Sequence, residues 1–432
     1  MDPVYILLLA LFGSACVLLL APVFHGRSAV LQFPFAAGCG LLGFLFPQAV
    51  GLVQDRGLTP GDGLVKALVM CTLTALAVYA GWHEGAPSRW SAPPRMCYPA
   101  GRLYWIGAAA LGIGVAGFLN LAALSGGVAA HYSVSATPLV WRGLPVAYEF
   151  FAQYLVAGLA LSGLAGLRLG GRLRLSLPAL ALAVEVAAVV FFGRRTVLVT
   201  VLASLGCILY FAKRWLPPRR LILCAAPLAA LAMFIAPEYR KHSQIGGNLE
   251  RLGQMDAATL LAPVADGGPH EFWAMANYIH VTAEDGLYEC GAGLYNTFVL
   301  LFVPKLFVGE ARKAALLIPV GGDNLGWQMP YGMVPTGPGS AFRQFWFLGC
   351  LWFYGLSRLM RYLWMRAGSG DLVAQATYTL LLTPAIASVV NDMYAVYPPV
   401  FMFLIPLAVL TSSVFPGPSV RLPGLCPAGA LK

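Results

Sequence analysis

The chain has 432 residues, of which 59% are hydrophobic and only 11% charged, with a mean hydropathy of +0.73. Soluble domains carry about 25% charged residues, so these figures exclude a soluble globular protein, and glycines and prolines scattered without a repeat exclude a fibrous or low-complexity one. The net charge of +10 poses the question of where the cations sit relative to a bilayer, and no nucleic-acid partner is expected.

A helix needs about 20 mostly apolar residues to cross the hydrocarbon, and about eleven segments qualify. In chain order they are 4–23, 30–53, 64–82, 103–124, 146–167, 177–192, 196–212, 221–236, 341–363, 372–390 and 400–415. The first lacks the basic flank of a secretory signal and reads as a retained span. Most cysteines, such as Cys16, Cys39, Cys71, Cys207, Cys224 and Cys350, fall inside apolar segments as small hydrophobes. Only Cys290 lies in a long polar stretch, so no disulfide framework or paired-cysteine metal motif is expected. The expected fold class is an all-α polytopic membrane protein in three parts. Residues 1–236 form a helix bundle of about eight spans, 237–340 a large outer loop with amphipathic helices, and 341–432 about three further spans.

Orientation follows from Lys and Arg in the short loops. The most basic loop, Lys213, Arg214, Arg219 and Arg220, is expected to be cytoplasmic. Alternation from it places Arg168, Arg172 and Arg174, then Arg89, Arg95 and Arg102, then Arg358, Arg361 and Arg366 on the same side, together with Arg27, Arg421 and Lys432. Only Glu84 and Asp371 join them as acids. The amino terminus is then outside and the carboxyl terminus cytoplasmic.

The loop between Ala236 and Ala341 carries most of the acids and falls on the outer face. Within it Phe272, Met275, Ala276 and Ile279 recur at i, i+3, i+4 and i+7, while Asn277, His280 and Glu284 share another face. Such a helix is expected to lie on or dip into the interface. A second apolar piece, 297–308, contains Pro304 and is too short to span.

Gly193, Arg194, Arg195 and Thr196 form a tight outer turn, where the charge bias disfavours arginine. Two planar guanidiniums there suit phosphate oxygens, although snorkelling to headgroups or pairing with loop acids would also account for them. Glu185, nine residues earlier on the same expected helix, lies about 13 Å deeper at 1.5 Å per residue. An ionisable group at that depth handles protons in a cavity or, when neutral, fixes helix packing. Further outer cations are Arg142, Arg240, Lys241, Arg251, Lys305, Arg312, Lys313 and Arg343, the last beside the Gly- and Pro-rich 335–340. Candidate acids and bases are His270, Glu271, His280, Glu284, Asp285, Asp323 and Asp392. No zinc-protease helix motif, phosphate-binding glycine loop, dinucleotide fingerprint or calcium loop is present, so no metal and no nucleotide or other cofactor is expected.

Taken together, the arrangement resembles the Wzy-type O-antigen and capsule polymerases. The features that carry the resemblance are the spans, the Gly-Arg turn at 193–196, the basic loop after it and the large late outer loop. Local echoes are Tyr288 to Gly293 with Val303, Pro304 and Lys305, and Pro335, Thr336, Gly337 through Phe347, Leu348, Gly349. The chain departs from that family where Phe342, Arg343, Gln344 replace an acidic entry to the span, and where Cys350, Leu351, Trp352 replace a second glycine. The resemblance implies a GT-C-like helical fold and a metal-independent membrane glycosyltransferase of the bacterial inner membrane. Its substrates would be a polyprenyl-pyrophosphate-linked glycan donor and a like acceptor, its surroundings membrane lipids, and its further partner a chain-length regulator. On that reading Arg194 and Arg195, with Arg240 or Arg343, hold the donor pyrophosphate, and His280 or Glu284 takes the acceptor proton. An O-antigen ligase uses the same donor and stands as an alternative. A secondary transporter is a second alternative, kept by Glu185, although no clear repeat relates the two halves.

Overall fold

In hydrocarbon every backbone N–H and C=O must find a partner within its own segment, a demand that apolar runs meet as helices. The structure, a computed structural model, describes residues 3–24, 26–54, 61–84, 98–124, 127, 144–192, 195–218, 271–320 and 334–412. The described residues form helices and no strand, and eight of those helices are long and apolar enough to cross a membrane. The protein is thus an all-α polytopic membrane protein.

The first half comprises α1 (Pro3–Leu20), α2 (Phe33–Gln54, with a π turn at Leu41–Leu45), α3 (Gly61–His83) and α4 (Ala100–Leu124). It continues with α5 (Leu144–Ala152), running on as α6 (Tyr154–Leu169), then α7 (Arg172–Phe192) and α8 (Arg195–Lys213). These match the expected spans to within a few residues. Segment 221–236 lies outside the described residues. α7, at 21 residues, is also of spanning length.

The second half contains α9 (Glu271–Glu284), α10 (Ala292–Phe302), α11 (Lys305–Val308) and α12 (Glu310–Ala315). After these come α13 (Thr336–Phe345), α14 (Cys350–Gly368), α15 (Leu372–Val390) and α16 (Met393–Thr411). Two expectations are corrected here. The segment 341–363 is not one span: the chain breaks at Trp346, whose φ is +53°, and makes a 3-10 turn over Trp346–Gly349. Gly349 lies against the Ala341 carbonyl, an approach that no side chain would permit. The proposed division at 340 therefore falls inside α13. The second correction concerns α9. Its apolar face, Phe272, Met275, Ala276 and Ile279, is fully buried, but against α2, α3 and α13 and not in a lipid interface.

Without a hydrophobic force between helices in lipid, close approach through small residues drives their packing. α4 and α6 show it most fully: a Cβ on Gly107 would stand 2.5 Å from Ser162 N, and one on Gly114 2.5 Å from Leu155 N. Gly158 faces Leu111 in return, at 2.8 Å. α3 and α14 meet at Gly81, under the Tyr354 carbonyl, and Ser357 Oγ donates to Val78 O at 2.7 Å.

Contacts sort the loops to two ends. At one end Arg361 Nη1 donates to Glu84 O at 2.8 Å, Arg214 Nη2 to Gly368 O at 3.0 Å and Arg168 Nη2 to Gln375 Oε1 at 2.7 Å. At the other end Tyr5 Oη donates to Gly61 O at 3.3 Å, and Gln48 Nε2 to Glu271 Oε2 at 3.1 Å. α9 and α13 belong to this second end.

Replacing Gly114 with Leu overpacks the α4–α6 contact, which costs about 1–3 kcal/mol or more. The thermal midpoint in detergent should fall. Gly112→Ala, at a glycine whose Cβ would meet nothing within 4 Å, should leave it unchanged. Equal midpoints for both variants would show that the helices do not depend on this approach.

Candidate functional site

α9 begins where Gln48 of α2 reaches it: Gln48 Oε1 accepts from Phe272 N at 2.9 Å, satisfying one of the helix's free amides, while its Nε2 holds Glu271 in the first turn. At the far end of α9 the backbone of α3 comes so close that a Cβ on Gly63 would stand 2.7 Å from Ala276 O. His280 therefore meets the start of α3. Its Nδ1 lies 2.7 Å from Asp62 Oδ1, close but poorly aligned for a hydrogen bond, and its Nε2 lies 3.0 Å from Glu284 Oε2. Asp62 also takes Lys66 Nζ at 2.8 Å. The helical spacing thus brings His280 and Glu284 together, and the fold adds Asp62.

The other cluster is built on α13. Every residue from Thr336 to Gln344 is buried, and Thr336 Oγ1 lies 2.9 Å from Met275 Sδ of α9. Gly337 is pressed against the Ser388 carbonyl of α15, where no other residue fits. At the carboxyl end of α13 the carbonyls of Arg343 and Gln344 accept from the amides of Glu289 and Cys290, both at 2.9 Å. The Glu289 carboxylate then turns back to the same two residues. Its Oε1 pairs with Arg343 Nε at 2.6 Å and its Oε2 accepts from Gln344 Nε2. Gln344 Nε2 also donates to Tyr394 Oη of α16 at 2.7 Å, and Arg343 Nη1 donates to Tyr278 Oη of α9 at 3.0 Å. Gly293 leaves room for the network: a Cβ there would stand 2.8 Å from Tyr394 Oη and would collide with Glu289.

Asp392 stands in the break between α15 and α16, where its carboxylate accepts from Tyr394 N at 3.3 Å and from the Ser340 hydroxyl. Burial raises its pKa above the ordinary carboxylate value, and those hydrogen bonds pull the other way. Burial also pushes the Tyr278 hydroxyl up to about 12, with the Arg343 charge opposing the shift.

Arg343, expected as a surface clamp, is buried and already holds a carboxylate. Arg195 opens α8, whose other end reaches Gly368 through Arg214, so its backbone lies at the end that carries α9 and α13. Arg194, Arg240, Arg142, Lys241, Arg251, His270 and Asp323 lie outside the described residues. Glu185 is buried on α7 with no hydrogen bond or ion pair among the described residues. Sequence reasoning missed Glu289, Tyr278, Gln344, Tyr394 and Asp62. The available signal was Glu289 beside Cys290 and Gly291, a turn-forming stretch within the outer loop. No group of three or more His, Cys, Asp or Glu among the described residues has metal-holding geometry.

No family model, no curated protein and no solved structure matches the chain.

Glu289→Gln would leave the buried Arg343 without its carboxylate, a loss of about 3–5 kcal/mol. Unfolding in detergent should show it, and adding Arg343→Met should recover most of it. A single variant as stable as wild type would remove the pair from the fold's supports. Asp392 gives a pH test. With its folded pKa raised, its contribution is full below the ordinary carboxylate range and is lost as pH rises through the raised value. Asp392→Asn keeps an acceptor for Tyr394 N and should flatten that decline.

Proposed function

We propose that the chain is a membrane glycosyltransferase that polymerises polyprenyl-pyrophosphate-linked oligosaccharide repeat units at the outer face of a bacterial inner membrane. One observation carries this reading. Carboxylates, an imidazole and phenols gather around two short buried helices, α9 and α13, at the end of the apolar bundle opposite its arginine-rich end. The positive-inside bias favours a cytoplasmic position for the arginine-rich end. His280, Glu284, Glu289 and Asp392 then face outward, with the amino terminus outside and the carboxyl terminus in the cytoplasm. The eight apolar helices, with α7, α14 and segment 221–236, make up eleven spans of a GT-C-like arrangement.

In the proposed reaction an acceptor hydroxyl oxygen bonds to the anomeric carbon of the donor glycan. The bond from that carbon to the pyrophosphate oxygen breaks, and the polyprenyl pyrophosphate leaves with the electron pair. His280 or Glu284, gathered with Asp62, takes the hydroxyl proton, which either can do once the contact between them opens to admit the acceptor. Arg194 and Arg195, with Arg240, stabilise the leaving charge. Arg343, bound by Glu289 and Tyr278, is better suited to fixing that carboxylate than to meeting phosphate. No metal is needed for these steps. An O-antigen ligase uses the same donor chemistry, and the glycan of a deletion strain separates the two: one repeat left on the lipid core supports polymerase, and no attached glycan supports ligase. Glu185, with no partner among the described residues, keeps a secondary transporter as an alternative, a reading that proton-coupled uptake in reconstituted vesicles would support.

The double variant Arg194→Ala, Arg195→Ala should fold and leave glycan of a single repeat. Long chains persisting would take the pair out of the mechanism. His280→Gln should slow elongation by about 10²–10⁴-fold, the usual share of a general base.

A further inference from the structure

The arginine-rich end holds two kinds of arginine. Arg366 pairs with Asp371, and Arg358 and Arg361 converge on Glu84. Those two acids are the only ones that the described residues place at this end. Arg168 at the end of α6, Arg172 and Arg174 at the start of α7, and Lys213 and Arg214 at the end of α8 have no carboxylate partner among the described residues.

Two of these cations are nevertheless held in place. Arg168 Nη2 donates to Gln375 Oε1 at 2.7 Å, and Gln375 Nε2 donates to Ala367 O at 2.8 Å. Arg214 Nη2 donates to the next carbonyl, Gly368 O, at 3.0 Å, and its guanidinium lies 5.4 Å from the centre of the Tyr210 ring. Tyr210 is itself stacked on Trp364 at 5.4 Å. Arg168 is thus held by the Gln375 side chain of α15 and Arg214 by the Gly368 carbonyl of α14, both neutral acceptors, and the two guanidiniums repel one another. Arg214 also occupies the left-handed position that closes a helix, with φ +53°, where glycine is the usual resident. Trp215 N reaches back to Leu209 O at 3.4 Å to complete that closure. An arginine kept in a glycine position and steadied on an aromatic ring fits a requirement for its charge at that point.

We infer that the junction of α6, α7 and α8 at this end is a binding site for the phosphate headgroup of an anionic phospholipid. Each guanidinium spends one described donor on a neutral acceptor, which leaves further donors of its fork for phosphate oxygens. The setting selects a lipid over a soluble anion. α8, and α5 running on into α6, are long and apolar enough to cross a membrane, which puts the ends of α6 and α8 at headgroup level. Trp215 is 52% exposed and Leu173 85% exposed beside the cations, which offers apolar surface to the glycerol backbone and the first carbons of the chains. Arginine clusters between helix ends with aromatic neighbours recognise anionic headgroups in this way.

The test uses the full-length protein in detergent, with bound lipid measured by native mass spectrometry against phosphatidylglycerol and phosphatidylcholine. Wild type should prefer phosphatidylglycerol, and Arg168→Gln with Arg214→Gln should weaken that preference about 25-fold, two headgroup-level cations being removed. Arg358→Gln with Arg361→Gln, which leaves the site intact, should keep it. Should the first double variant not fold, Arg172→Gln with Arg174→Gln, at exposed positions, should weaken the preference in the same direction. The inference is overturned if variants at the site retain wild-type preference, or if the Arg358 and Arg361 variant loses as much, since the effect is then diffuse charge. It is overturned equally if inorganic phosphate displaces the lipid from wild type at equal concentration, since the ligand is then a free anion.

Discussion

The region around α13 depends on how that helix ends. A helix buried from Thr336 to Gln344 cannot leave its last carbonyls to solvent, and in an apolar bundle each unmet carbonyl is costly. The amides of Glu289 and Cys290 meet the carbonyls of Arg343 and Gln344, and this is possible because the chain reverses there, with Cys290 at φ +48° and Gly291 at φ +93°. The same turn delivers the Glu289 carboxylate to the Arg343 and Gln344 side chains. Through those side chains the cap reaches Tyr278 on α9 and Tyr394 on α16, so one helix end ties four parts of the chain together.

Burying such a pair is not by itself a gain in stability, because the desolvation of both charges roughly offsets their attraction. Its effect is on geometry. An apolar contact between α13, α9 and α16 would tolerate sliding, whereas a guanidinium with a carboxylate on one edge and a phenol on another admits one register. Gly293 and Gly337 point the same way, since at both positions a side chain would occupy space already taken by the network or by the α15 backbone. The polar end is built for position.

The spans were legible because lipid enforces a length and a composition: segment 196–212 was read from hydropathy and α8 runs Arg195–Lys213. The buried face of α9 was legible for a similar reason, since Phe272, Met275, Ala276 and Ile279 repeat with the helix. Hydropathy does not tell lipid from protein, however, so the partner of that face was misread. The break at Trp346 was hidden because Phe345, Phe347 and Leu348 continue the apolar run, and its cause is the tertiary approach of Gly349 to Ala341. Arg343 was visible as a cation, but nothing local announces that a glutamate in a distant turn will neutralise it. Ion pairs across the fold leave no periodic trace.

The distribution of unpaired charge separates the two ends more clearly than the number of cations does. At the polar end Lys66 meets Asp62, Lys305 meets Glu310 at 2.5 Å, Lys313 Nζ reaches Leu300 O at 2.8 Å and Arg343 meets Glu289. Among the described side chains there, Arg312 is the cation left without a partner. On the proposed reading, a diphosphate docking at that end would draw on Arg312 or on cations outside the described side chains, because recruiting Arg343 would first require breaking a buried pair. At the opposite end the acids are too few for the arginines, and anions from the membrane can make up the difference. The proposed reaction and the inferred lipid site would thus make separate demands on the chain's positive charge, and the length of α3 separates the two ends, Asp62 meeting His280 at one and Glu84 meeting Arg361 at the other.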